Sequence, residues 1–331
     1  MSVRLSLAVD GGLPVAPHST VRVYNPPSSY DLSTLSDFSV SIVQPVLPDH
    51  AAWVSRGYKV DATCPSDKVD CAVVVLPRSR IYAQELVHAA VTTAGQLVVV
   101  DGNKSDGVDS MYKALRQHGR VSSAFAKAHG KLFWFDPADL VDALTMWAPV
   151  CQEHAGYHTC AGIFSADGPD AASTLLLSAL PKPLGRTVLD LGAGWGYLSG
   201  ELLKSRADIV ELHMLEADAR AMSCARENVA DPRAHFHWAD AREWRAPMPF
   251  DTVVMNPPFH TGRAATPNLG QEFIKSAARA LRSAGTLWLV ANRHLPYEQT
   301  LHDTFATVSE TAGDSRFKVI RASTPKKARL R

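Results

Sequence analysis

The sequence contains no run of some 18 consecutive apolar residues, the length a bilayer-spanning helix needs, so no membrane helix is expected. Its opening stretch, MSVRLSLAVDGGLP, breaks at Asp10-Gly11-Gly12, too soon and too polar for a secretory signal core. A cytoplasmic location is expected. Cysteine is scarce: five residues, at 64, 71, 151, 160 and 224, show neither the spacing of a disulfide framework nor a C-x-x-C metal pattern. Reduced thiols and no metal are therefore expected. An excess of one charge is also missing. A formal net charge of +1 provides no field drawing the whole chain onto nucleic acid, so any RNA contact must rest on local patches. Lys326, Lys327, Arg329 and Arg331 could form one, and they would serve equally well as a solvated chain end.

What is present suits globular α/β structure. With 331 residues, 46% of them apolar, the chain can build two domains with separate cores. Apolar runs of strand length (CAVVVL, QLVVV, TVLDL, VELHML, DTVVM, TLWLV) alternate with helical, often Ala-rich segments (AQELVHAAV, YLSGELLK, ARAMSCARENV, EFIKSAARAL). That alternation predicts parallel sheets covered by helices. WAPVCQEHAGYH, from Trp147, has neither period and marks a junction between domains at 1–150 and 155–331.

The halves resemble each other. Asp70-Cys-Ala-Val-Val-Val-Leu-Pro77 aligns without a gap on Asp251-Thr-Val-Val-Met-Asn-Pro-Pro258, and each run leads to a helix, a turn and another strand. From Asp70 to Gly95 is 25 positions and from Asp251 to Gly285 is 34, so the second copy carries nine extra residues. They fall around HTGRAATPN, at the strand's C-terminal edge, where open α/β sheets bind ligands. An ancient duplication explains the pattern.

In the second half an apolar strand enters a glycine turn, Val188-Leu-Asp-Leu-Gly-Ala-Gly-Trp-Gly196. Gly192 and Gly194 would let the backbone approach a ligand with no Cβ in the way, and Asp190 would fix the loop and a charged amino end. G-x-G-x-x-G is not met, which argues against a dinucleotide. Glu216 and Asp240 follow at strand ends, placed to accept ribose hydroxyls and to bond an adenine edge. Next comes Phe250-Asp-Thr-Val-Val-Met-Asn-Pro-Pro-Phe259, a buried strand delivering Asn256 to the sheet edge. A ring-attached amine is a poor nucleophile because its lone pair is delocalised. The Asn256 side-chain oxygen and the Pro257 carbonyl can each accept one N–H and turn that lone pair toward a methyl donor, with the prolines stiffening the geometry. Phe259 would stack on the base beside Pro258, and His260 stands next in line for substrate contact. By contrast, Asn25-Pro26-Pro27 lacks the aromatic and the glycine turn, and reads as a plain turn.

Asn-Pro-Pro-Phe after D-x-G-x-G resembles the class I amino-methyltransferases that act on adenine N6, guanine N2 or glutamine N5. GIFSADGPDAAS (162–173), NPPFHTG (256–262), VANRHLPY (290–297) and RFKVIRA (316–322) are similar more closely to the bacterial ribosomal RNA small subunit methyltransferase C family. The resemblance implies two tandem Rossmann-like methyltransferase domains, the N-terminal one degenerate, S-adenosylmethionine as cofactor, and guanine N2 of 16S rRNA, in ribosomal RNA or a small ribosomal subunit, as target. A monomer is expected. It further implies cofactor contacts at Phe164, Asp190, Gly192, Gly194, Glu216, Asp240 and Asn256, catalysis at Asn256, Pro257 and Phe259, and substrate contacts at Pro258, Phe259 and His260, with Asp167 and Asp170 ordering a loop or capping a helix. Trp195 departs from the usual small residue and could alter the cofactor's fit. A large-subunit rRNA guanine, adenine N6 or a protein glutamine remain open as acceptors, as does a non-catalytic RNA-binding or assembly role.

Overall fold

The structure, a computed structural model, describes residues 3–258, 260–261, 264–265 and 267–326. The chain divides into two compact units, Met1–Cys151 with Cys160–Gly162, and Gln152–Thr159 with Ile163–Arg331.

The first unit runs α1 (Val3–Asp10), β1 (Thr20–Tyr24), β2 (Ser39–Val43), α2 (Leu47–Ser55), β3 (Lys59–Asp61), β4 (Val69–Val75), α3 (Arg80–Thr93), β5 (Ala94–Asn103), α4 (Val108–His118), β6 (Phe125–Lys127) and β7 (Gly130–Phe135). The second begins with the hairpin β8 (Gln152–His154) and β9 (Tyr157–Thr159). It continues through α5 (Ala171–Ala179), β10 (Thr187–Leu191), α6 (Tyr197–Ser205), β11 (Glu211–Glu216), α7 (Ala219–Asn228), β12 (Ala234–Trp238) and β13 (Phe250–Met255). The short pair β14 (His260–Thr261) and β15 (Ala264–Ala265) precedes α8 (Pro267–Ala280), β16 (Leu281–Asn292), α9 (Glu298–Thr304), β17 (Phe305–Gly313) and β18 (Phe317–Pro325).

Each unit holds a seven-stranded sheet with one shared order, β3-β2-β1-β4-β5-β7-β6 and β12-β11-β10-β13-β16-β18-β17. The match descends to single hydrogen bonds. Asp70 accepts from the Thr20 amide at 2.8 Å while its own amide donates to the Thr20 hydroxyl at 2.9 Å. Asp251 accepts from the Thr187 amide at 3.1 Å and donates to the Thr187 hydroxyl at 3.0 Å. The aligned aspartates therefore clamp equivalent strand starts, β1 to β4 and β10 to β13.

The expected parallel arrangement covers most of each sheet. Five strands of each sheet are parallel, but β5 meets β7, and β16 meets β18, antiparallel. The last two strands form a hairpin, so the chain returns along the edge without a crossover helix. In the second unit both faces of the parallel strands are covered. Leu176, Leu198, Leu202 and Met222 pack on one side with Val188 and Val254, and Phe273, Ile274 and Ala277 of α8 pack on the other with Leu189 and Val253. Burial on both faces explains why these strands read as unbroken apolar runs.

Candidate active site

In the second sheet β10 connects outward to β11 while β13 takes up the other flank, so a crevice opens beyond the C-terminal ends of β10 and β13. A cavity lies there, about 410 Å³ of space partly open to solvent. It gathers Phe164, Asp190, Gly192, Gly194 and Asn256 from distant stretches of sequence, together with Asp170, Ser173 and Trp195.

The glycine turn is built as its sequence suggests. Gly192 and Gly194 have φ of 85° and 55°, the left-handed region that a side chain disfavours. A Cβ at Gly194 would meet nothing within 4 Å, so the turn shows the cavity bare backbone. Asp190 is 1% exposed and takes a 2.6 Å hydrogen bond from the Ser199 hydroxyl. Burial pushes its carboxyl up to about 7 against the pull of that hydroxyl, with the nearby Glu216 adding to the rise. Burial also raises Glu216. Glu216 accepts the Gly194 amide at 3.0 Å on one oxygen, and the amides of Ala217 and Asp218 at 2.7 and 2.8 Å on the other. It thereby ties the glycine turn to the end of β11.

Trp195 is a fastener rather than an obstacle. It is 3% exposed, and its indole N–H donates to the carbonyls of Phe164 and Ser165 at 3.1 and 3.2 Å, holding the loop that presents the half-exposed Phe164 ring.

Asn256 follows β13 directly, half-buried, with Pro257 buried behind it and Pro258 half-buried. Its amide nitrogen donates to Asp170 Oδ2 at 2.8 Å and to the Ser173 hydroxyl at 3.0 Å. Both N–H groups are thus committed, which leaves the side-chain oxygen to accept a hydrogen bond from another molecule. The same Asp170 oxygen accepts the Ser173 amide at 2.9 Å and caps α5. Ser173 was missed in the sequence; its only signal is its place three residues beyond a helix-capping aspartate.

Other assigned residues fall differently. Asp240 lies beyond the end of β12 and outside the cavity lining. Burial works to raise its carboxyl, but its bonds to Arg242 prevail and hold it below the usual range. Asp167 is exposed and does not line the cavity. Phe259 lies outside the described residues, as do Lys327, Arg329 and Arg331 of the tail, and His260 is described only as backbone of β14.

The site fits a cationic nucleoside donor. Bare glycine backbone, an exposed aromatic ring and the raised Asp190 carboxyl line one cavity, with Glu216 outside its lining behind the glycine turn, and a positive charge brought there would favour the ionised forms of both carboxyls. Fold and site define an S-adenosylmethionine-dependent methyltransferase. The methyltransferase small domain family matches residues 155–321. A ribosomal RNA small subunit methyltransferase C from Shewanella oneidensis is 31% identical over 265 residues, covering 76% of this chain and 77% of that protein. The protein of the same name from Acinetobacter baylyi is 27% identical over 91% of this chain and 94% of its own length. Among solved structures, a T. thermophilus 16S rRNA N2 methyltransferase in complex with AdoMet and guanosine aligns with a TM-score of 0.79 at 23% identity, over 94% of this chain and 90% of that one. The chain belongs to the ribosomal RNA small subunit methyltransferase C family.

Proposed function

We propose that this protein transfers the methyl group of S-adenosylmethionine to the exocyclic N2 of a guanine in 16S ribosomal RNA. The observation that carries the reading is the orientation of Asn256: with both amide N–H groups held by Asp170 and Ser173, the side chain can only accept. An amino group losing lone-pair density to its ring needs such an acceptor, and an amine placed there donates one N–H to Asn256 and another to the Pro257 carbonyl. When bound, S-adenosylmethionine supplies an activated methyl on a sulfonium, so the protein's task is alignment. Asp190, Gly192 and Gly194 hold the cofactor, Phe164 flanks it, and Glu216 reaches its ribose. Asp240 is assigned the outermost contact, for which it would have to exchange its bonds with Arg242. Phe259 stacks on the base and His260 contacts substrate.

Support for small-subunit ribosomal RNA comes from the name shared by the relatives, and for guanine from the N2 specificity and the guanosine named for the T. thermophilus complex. The first unit, residues 1–150, supports or positions RNA, with Arg78, Arg80 and Lys104 exposed at its surface as candidate phosphate contacts. The catalytic domain spans 155–331. No helix among the described residues is long and apolar enough to cross a membrane, and we assign the protein to the cytoplasm as a monomer.

The test is methyl transfer from labelled S-adenosylmethionine to naked 16S rRNA, assembled small subunits and 23S rRNA, followed by nucleoside mass spectrometry. N2-methylguanosine from 16S substrates is expected. Label in 23S rRNA alone, or in protein after ribonuclease treatment, would move the enzyme to another acceptor.

A further inference from the structure

Along the middle of β11 and β12 lies a group of imidazoles that the chemistry above does not use. β11 and β12 are parallel, with His213 opposite His235 and Leu215 opposite His237, and β12 is the outermost strand. Side chains alternate faces along a strand, so Glu211 and His213 share a face with His235 and His237. Glu211 and Glu216 are five residues apart, which at strand rise is about 16 Å.

His213 is the anomaly in this group. Its side chain is 7% exposed, and its ring packs edge-on against Phe250 at 5.0 Å. Nδ1 lies 2.9 Å from His237 Nε2, while Nε2 is buried with no hydrogen-bond partner among the described residues. Glu211 Oε2 stands 3.6 Å from that nitrogen, beyond bonding distance. In the tautomer that donates the Nδ1 proton to His237, Nε2 keeps its lone pair for an electrophile.

One ligand atom each from Glu211, His213 and His235 lie within 4.8 Å of one another. Tetrahedral zinc with bonds near 2.1 Å needs ligand atoms about 3.4 Å apart. Rotation of exposed His235 and half-buried Glu211 about their side-chain bonds can close that gap around a fixed His213.

We propose that Glu211, His213 and His235 form a binding site for a divalent transition-metal ion, zinc by its donor set, with His237 orienting the His213 ring from behind. Two imidazoles and a carboxylate are a zinc set that leaves a fourth position to water, and a ligand histidine whose other nitrogen is hydrogen-bonded is the usual support for one. The ion would clip the edge strand β12 to β11. It would act as a structural clamp remote from methyl transfer.

The test uses the full chain without an affinity tag, stripped with chelator and titrated with Zn2+ by calorimetry, with thermal melts in parallel. One Zn2+ per chain and a raised melting temperature are expected. His235→Ala, at an exposed position, should weaken binding at least about tenfold and cancel the rise in melting temperature, and His237→Phe should weaken binding about tenfold. With Co2+ in place of Zn2+, the spectrum should lack a thiolate charge-transfer band. Binding undiminished in His235→Ala, a thiolate band, or no binding at submillimolar Zn2+ would each overturn the site.

Discussion

Asn256 shows how one amide is made directional. Its nitrogen is held by Asp170 and Ser173, so removing the side chain removes an aligned acceptor and leaves the glycine turn intact. Asn256→Ala should lower kcat by about 100-fold or more while S-adenosylmethionine affinity stays within a few-fold. Calorimetry on the variant decides it, since lost cofactor binding would remove the role. Ser173→Ala should cost less, because Asp170 still holds one N–H. Asp190 yields a pH prediction. Its folded-state value of about 7 lies above that of an unfolded aspartate, about 3.9, so the folded protein binds the extra proton between those values. Stability without cofactor should therefore fall as pH rises through that window and be flat above it. A cationic cofactor favours the ionised form, so its affinity should rise with pH, by at most about tenfold per unit, and level off above about 7. Asp190→Asn should make the profile shallower, with Glu216 supplying what remains. A wild-type affinity independent of pH from about 5.5 to 8.5 would exclude this linkage. The residue types with an unusual backbone or chemistry, Gly192, Gly194 and Asn256, were legible in the sequence. The bond from Arg242 to Asp240 was not legible, because a strand-end position does not reveal which neighbour a carboxylate meets.

At the scale of elements, β10 and β13 were readable almost to the residue, because burial on both faces leaves an uninterrupted apolar run. The terminal hairpin was not. In β18 Lys318 is 4% exposed and bonds to the Leu295 carbonyl at 2.9 Å and to Glu298, so a buried cation interrupts the pattern that marks a strand. The packing of α8 offers a sharper test. A Cβ on Gly270 would lie 2.0 Å from the hydroxyl of Tyr297, a residue with no exposure and a hydroxyl that lacks a hydrogen-bond partner among the described residues. Gly270→Ala should destabilise the protein by about 1–3 kcal/mol. Tyr297→Phe should be neutral or slightly stabilising, since it removes an unpaired buried hydroxyl. The double variant should recover only part of the loss in urea unfolding, because ring carbons Cζ and Cε1, 2.3 and 2.8 Å from the new Cβ, remain in phenylalanine; strictly additive effects would place the strain elsewhere.

For the whole molecule the question is how two copies of one fold share a single activity. The repeat was legible because Asp70 and Asp251 perform the same clamp. What replaces the glycine-turn site in the first copy was not, because Arg4 and the Asp101 it bonds, which line a cavity of about 630 Å³ there, stand 97 residues apart. Where the second unit has its glycine turn, the first has Asn25 at φ 59° followed by Pro26 and Pro27, whose nitrogens cannot donate. Asp101, at the matching end of its own sheet, is buried and held by Arg4 and by the Tyr30 hydroxyl. The full chain should therefore bind one S-adenosylmethionine, and equilibrium dialysis returning two per chain would refute the division.

Asp170 carries a last consequence. One carboxylate oxygen both ends a helix and aims an amide, so selection for a folded protein and selection for a working one act on the same atom. A lineage that abandoned methylation would still be under pressure to keep this aspartate. Its persistence across descendants would therefore be a poor clock for when the activity was lost.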